Sequence, residues 1–253
     1  MPLARPLAMF ALLLVVAPAL TAEPIAWKKT GTLAAEEAHQ AAAVDEQHVY
    51  AISSTKIARY DRATGKRLGV STGEAKHLNS GFLWQGKLYC AHSNFPTTPE
   101  KSEIKVLDLD SMKLTTFHDF ADFGGSLTWC IFHEGYWWCN FAKYGDVNAQ
   151  TFLVKFDGQW REQGRWTWPA EVLSGIGKAS LSGGVWRDGA ILATDHDHTV
   201  LYKVRIPQEG KVLEFVEKQT SPFPGQGIAA DPKTGGLAGI DRAKKEVIFA
   251  MPE

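Results

Sequence analysis

Helix signals are nearly absent from this chain of 253 residues, and so is any excess of charge of one sign. Its 27 basic and 28 acidic side chains leave a formal charge of −1, whereas nucleic-acid-binding surfaces carry a basic excess, so nucleic acid is not an expected partner. Serine-, glycine- or proline-rich linkers are missing too, which makes one domain the economical count. The apolar run from Met9 to Val16 is too short to span a bilayer comfortably, so no membrane anchorage is expected. With Arg5 ahead of that run and Ala17-Pro18-Ala19 or Leu20-Thr21-Ala22 behind it, residues 1–22 read as a signal peptide. No cysteine lies near the junction to accept a lipid. The expected product is residues 23–253, a periplasmic or secreted monomer with a substantial core, given 45% hydrophobic residues.

Catalytic signatures are equally sparse. The chain has no C-x-x-C pair, no H-E-x-x-H helix and no G-x-S-x-G elbow. Gly225-Gln226-Gly227 lacks the strand-to-helix setting of a phosphate loop, so no nucleotide or flavin is implied. Two segments have some helical character: Pro169 to Gly175, enough for one turn, and the Ala-rich stretch from Leu33 to Ala43, which falls where a strand is required.

What the chain does contain is a unit written five times. Apolar strands flank tight turns at Glu46-Gln47, Gln85-Gly86, Glu134-Gly135, Asp188-Gly189 and Thr234-Gly235, spaced by 39, 49, 54 and 46 residues, close to a four-stranded propeller blade. The second strands align as Val49-Tyr50-Ala51, Leu88-Tyr89-Cys90, Trp137-Trp138-Cys139, Ile191-Leu192-Ala193 and Leu237-Ala238-Gly239. The last copy ends too near Glu253 to supply a fourth strand, and Ile25 to Lys29 has no other partner. The spacing therefore predicts an all-β fold, a five-bladed β-propeller closed by an N-terminal outer strand; a β-sandwich is the alternative. Trp137, Trp138, Trp160, Trp166, Trp168 and Trp186 are assigned to blade packing. A two-residue turn at Glu134-Gly135 sets Cys130 opposite Cys139, as a cross-strand disulfide or as two buried thiols, with Cys90 as a packing residue.

In a propeller the start of each first strand meets the end of each second strand at one mouth of the channel. The repeat alignment places His77, Asn79, Ser126, Thr128, Ser180, Ser182 and Gln226 at the first position, and His92, Asp195, Asp241, His196 and Arg242 at the second. Thr194-Asp195-His196-Asp197-His198 is the densest group; it could bind a divalent cation, supply an acid and a base, or be a solvated turn. His77 and Asn79 with His92 and Asn94 form a second cluster, and Trp129, Phe141 and Tyr144 an apolar wall.

The motifs His77-Leu78-Asn79-Ser80-Gly81, His92-Ser93-Asn94-Phe95-Pro96, Ser126-Leu127-Thr128-Trp129, Ser182-Gly183-Gly184-Val185-Trp186 and Gly225-Gln226-Gly227-Ile228-Ala229 resemble an uncharacterised family of exported bacterial β-propeller proteins, sometimes labelled cycloisomerase-like. In that family a glycine commonly stands where Asp195 stands here, which shifts weight onto His196 and Asp197. The expected function is the binding of a small polar molecule at the mouth, with metal-assisted hydrolysis or isomerisation of a lactone or sugar-acid-like substrate as the leading reading. In it His92, His196 and Asp195 are the candidate metal ligands, and His77 and Asp197 move the proton. Asn79, Asn94, Trp129, Tyr144 and Gln226 hold the ligand. The competing reading is a non-catalytic ligand- or protein-binding propeller.

Overall fold

Positive backbone φ at two successive positions gives a hairpin turn whose twist matches that of its strands. Gln85-Gly86 (48° and 71°), Glu134-Gly135 (50° and 84°) and Asp188-Gly189 (51° and 70°) all adopt it. The computed structural model describes residues 25–253, and the signal peptide assigned to residues 1–22 lies outside the described residues.

Five four-stranded antiparallel sheets form the five blades of a β-propeller. Strand β1 (Trp27–Ala34) comes first in sequence, and blade 1 follows with β2 (Ala41–Val44), β3 (His48–Ile52), β4 (Ile57–Asp61) and β5 (Arg67–Val70). Blade 2 holds β6 (His77–Trp84), β7 (Lys87–Ser93), β8 (Ser102–Asp108) and β9 (Lys113–Ala121). Blade 3 holds β10 (Ser126–His133), β11 (Tyr136–Ala142), β12 (Phe152–Phe156) and β13 (Glu162–Thr167). A four-residue helix α1 (Ala170–Leu173) then leads to blade 4, which comprises β14 (Gly183–Arg187), β15 (Ala190–Thr194), β16 (Val200–Arg205) and β17 (Glu214–Thr220). Blade 5 takes β18 (Ala229–Asp231), β19 (Gly236–Asp241) and β20 (Glu246–Pro252) from the end of the chain and β1 from its beginning. Trp27 pairs with Pro252 and Ala34 with Glu246, so the ring closes as the spacing predicts and the closing strand is longer than Ile25 to Lys29.

Each blade packs on the next through one of five apolar clusters. Space near the axis is short, and the inner strands answer with small residues: a methyl group on Gly184 would come within 2.8 Å of the Trp129 indole. The same crowding explains why Ala41–Val44 is a strand despite its helical composition. All four of its residues are buried between blades, and tertiary packing overrides the propensity of alanine. Ala35 to Gln40 form turns instead of helix. The six tryptophans assigned to blade packing all lie in or against these clusters. A 3₁₀ segment, Gly145–Gln150, follows β11, where the repeat pattern predicts no element. Ser180 to Ser182 precede β14 rather than belonging to it.

Cys130 and Cys139 are directly opposed in the β10–β11 register, yet they and Cys90 are buried free thiols. Burial pushes all three thiols above their ordinary value, which keeps them protonated and unreactive. A thiol-reactive dye should therefore label none of them in the native protein and all three in denaturant. An intact mass short by two hydrogens would show a disulfide instead. Among the described residues, no helix is long and apolar enough to cross a membrane.

Candidate functional site

All five blades contribute to a cavity of about 280 Å³ at one mouth of the channel. Gln40 enters ahead of β2, His77 and Asn79 from β6, Thr128 from β10, Ser180 and Ser182 ahead of β14, and Gln226 ahead of β18. Phe95, Tyr144, His196 and Arg242 arrive just beyond the ends of the second strands β7, β11, β15 and β19. This is the geometry the repeat implies, with first-strand starts and second-strand ends sharing one opening.

Backbone constraints hold the site open. At the floor, Asn79 Nδ2 donates to the Leu127 carbonyl (2.9 Å) and Thr128 Oγ1 donates to the Leu181 carbonyl (2.7 Å), tying blade 2 to blade 3 and blade 3 to blade 4. On the blade 4 side the strand stops at Thr194, and Asp195 makes the turn. Its Oδ1 accepts from the backbone N–H groups of Asp197 (3.0 Å) and His198 (2.7 Å), and its Oδ2 lies 2.5 Å from His198 Nδ1. His196 is thereby released from strand alternation and turned into the mouth. The 225–226 segment locks it there: Gln226 N–H donates to the Asp195 carbonyl (3.0 Å) and Gln226 Nε2 to the His196 carbonyl (2.6 Å). Gly225, at φ 79°, passes so close that a Cβ would sit 2.2 Å from the His196 carbonyl oxygen, so only glycine fits.

One wall is aromatic. The ring of Phe95 lies 5.3 Å from that of His77 and 5.1 Å from that of Tyr144. Burial pushes Tyr144 up to about 12, against the opposing effect of the Ser180 and Ser126 hydroxyls, so it remains a neutral phenol. His77 is held below the ordinary histidine value, first by burial, then by the nearby charges of His196 and Arg242, with Asn79 acting the other way. Its imidazole is accordingly neutral at neutral pH and able to accept a proton. His196 Nδ1 stands 2.8 Å from Asp197 Oδ2, out of line for a hydrogen bond, and both side chains remain accessible to solvent.

The structure thus brings together His77, Asn79, Tyr144, His196 and Gln226, with Asp197 beside His196. It does not bring the other candidates to the mouth. His92 pairs in register with Leu78 rather than with His77, so alternation turns it toward blade 1. There it faces a separate lateral cavity of about 640 Å³ shared with Asn94, Glu103 and Lys105. Its Nε2 accepts the Lys76 N–H (2.9 Å), and its Nδ1 is 2.9 Å from Glu103 Oε2. Burial and then Lys105 hold it below the ordinary histidine value. Asn94 staples its own loop, donating to the Pro99 carbonyl (3.0 Å) and accepting from the Lys101 N–H (2.8 Å). Trp129 is fully buried between blades 3 and 4, because a bulge between Leu127 and Trp129 shifts the register and leaves Thr128 to line the mouth. Phe141 is buried between blades 2 and 3, so Phe95 stands in the aromatic wall instead.

The expected metal set of His92, His196 and Asp195 is therefore not assembled: one faces the lateral cavity, one the mouth, and one is spent on a turn. Among the described residues no group of three His, Cys, Asp or Glu side chains is arranged to hold a metal ion. Arg242, Phe95, Gln40, Ser180 and Ser182 complete the site. Arg242 shares the alignment position of His196, so the repeat itself carried the signal for it.

No protein-family model matches the chain, and no curated protein sequence does. Among solved structures, the glutaminyl cyclase of Myxococcus xanthus, a β-propeller, superposes with a TM-score of 0.63 over 91% of this chain and 99% of its own, at 9% sequence identity. The likeness establishes the fold and nothing finer. A chain of the mitotic checkpoint complex also matches, with a TM-score of 0.46 and 10% identity over 82% of this chain and 62% of that one.

Proposed function

We propose that this protein is an exported propeller that binds a small polar molecule at the five-blade mouth and transfers a proton on it, as a hydrolase or isomerase acting on a lactone or sugar-acid-like substrate. The observation that carries the reading is the convergence of His77, His196, Tyr144 and Arg242 on one cavity, drawn from four different blades. Small-molecule sites have this composition, an apolar wall with a few convergent polar groups. Export rests on the signal-peptide pattern of residues 1–22 and membership of an exported bacterial family on the motifs quoted above.

In this reading His77 is the proton acceptor, since its imidazole is already neutral, and Asn79, tied to the Leu127 carbonyl, fixes the floor beneath it. Tyr144 donates a hydrogen bond as a neutral phenol, and His196, balanced by Asp197, returns the proton to the product. His77→Ala is expected to lower kcat about 10²- to 10⁴-fold, the usual contribution of a general base, while leaving the melting temperature near that of the wild type. The acid limb of the pH–rate profile should lie below about 6.5, because a base held below the ordinary histidine value is protonated only at lower pH. Assays on a panel of lactones and sugar acids, with wild type and variant side by side, test both statements. Saturable binding without turnover by the wild type would leave the non-catalytic binding propeller as the correct reading.

A further inference from the structure

We infer that the molecule taken at the mouth is an anion, a small carboxylate whose negative group is held by Arg242. The inference rests on the mouth being the ligand site and narrows its occupant to the sugar-acid class or to a lactone that carries a second, free carboxylate. Five arginines are partly buried: Arg59, Arg62, Arg165, Arg187 and Arg242. The first four are partnered. Arg59 donates to the Leu109 carbonyl, Arg62 to Asp231 and the Asp45 carbonyl, Arg165 to Glu162, and Arg187 to the Gly235 carbonyl. Among the described residues Arg242 donates to no group and forms no ion pair; the Asp197 charge reaches it, but burial outweighs that charge. A guanidinium offers five N–H donors and stays charged at any accessible pH, so one withdrawn partly from water without an acceptor is prepared for a ligand that brings its own.

The surroundings of Arg242 favour the same sign. His77 and His196 line the same cavity, and each imidazole carries at least one N–H donor. The carboxylates nearest in the chain are committed elsewhere or screened. Asp241 accepts from the backbone of Ala243 and Lys244 and binds Lys244 Nζ at 2.6 Å. Asp195 is consumed by its turn, and Asp197, largely exposed, stands beside His196 and Arg242 without hydrogen-bonding either, so its charge is screened by water. Ser180 and Ser182 add hydroxyl donors, while Phe95 and Tyr144 offer apolar surface for a carbon body. A cavity of about 280 Å³ limits that body to roughly the size of a monosaccharide acid or smaller, below the usual range for larger ligands.

The test is a titration of the full mature chain with sodium gluconate and with gluconamide, its neutral counterpart, in chloride-free buffer. Acetate and acetamide serve as the smallest matched pair. Binding is read by calorimetry and by the ring resonances of His77 and His196 in NMR spectra. The carboxylates are expected to shift both histidines and to bind at least about tenfold more tightly than the amides. Arg242→Gln should abolish that difference, and Arg242→Lys should restore part of it, because charge returns without the bidentate fork. A variant that fails to fold is identified by its melting curve, and the charge-preserving lysine variant keeps the comparison meaningful. Equal binding of acid and amide, with both histidines perturbed, would overturn the anionic class while leaving the mouth as the site. Histidine resonances unmoved by any of the four compounds at about 50 mM would overturn the mouth reading itself.

Discussion

Removal of the strand Trp27–Ala34 is expected to unfold the propeller or lower its melting temperature drastically. That strand is the outer edge of blade 5, paired to β20 from Trp27–Pro252 through Ala34–Glu246, and its loss exposes a full ladder of donors and acceptors. It also withdraws two buried side chains. Leu33 packs in the cluster between blades 5 and 1, and Trp27 in the cluster between blades 4 and 5. The Trp27 indole additionally donates to Gln219 Oε1 (2.8 Å) on β17 and lies beneath the Arg187 guanidinium, 5.1 Å from its ring, so it links three strands at once. Emptying the Trp27 site alone costs about 3–5 kcal/mol on the usual scale for Trp→Ala, against a typical domain stability of about 5–15 kcal/mol. Trp27→Ala should thus reproduce much of the loss with the strand still present. Differential scanning calorimetry of both variants is the check; a truncated protein that melts with the wild type would refute closure by β1.

Asp231→Asn is expected to destabilise the protein by about 3–5 kcal/mol, the range for breaking a buried ion pair from one side. Arg62 reaches from blade 1 to grip Asp231 with two parallel hydrogen bonds of 2.8 and 2.6 Å, and the two side chains are 9% and 0% exposed. The same carboxylate holds the loop into β19, accepting from the Lys233 N–H (3.0 Å) and the Thr234 hydroxyl (2.7 Å). Burial would raise its pKa, but the Arg62 hydrogen bonds, Thr234 and the Arg62 charge outweigh burial, and the net shift is downward. A carboxyl depressed in the folded state contributes its stabilisation fully above the ordinary aspartate value of about 3.9 and loses it as pH falls through the lower folded value. Wild-type stability, measured by urea denaturation, should therefore decline below about pH 4. The Asp231→Asn variant should show a shallower decline over the same window. An unchanged slope would mean that other carboxylates govern acid unfolding.

The strand–turn–strand repeats carry most of the fold in plain view. Gln85-Gly86, Glu134-Gly135 and Asp188-Gly189 prescribe hairpins through their backbone chemistry, and each hairpin fixes a register by counting outward, which is why Cys130 and Cys139 are found opposite one another. The unpaired N-terminal segment could close only the blade that lacked a strand. The mouth was legible for the same reason, because a residue at a set count from the turn lies at the same end of every blade; His77, Asn79, His196 and Gln226 all reach it.

Local sequence determined the blade count, the closure and the end of the channel at which polar groups gather, since these follow from short-range turn geometry and a two-residue alternation. Tertiary structure alone decided which of those groups face the cavity. A bulge after Leu127 sends Trp129 into the core and Thr128 to the mouth, and the pairing of His92 with Leu78 turns that imidazole toward blade 1. Beyond the ends of the strands, direction is set by whatever caps the chain: Asp195 becomes a turn residue, Gly225 presses on the His196 backbone, and Arg242 is left without a hydrogen-bond partner among the described residues. A single inserted residue reverses the face of every side chain after it, and a cap is chosen by neighbours from another blade. Those neighbours come together only when the ring is closed.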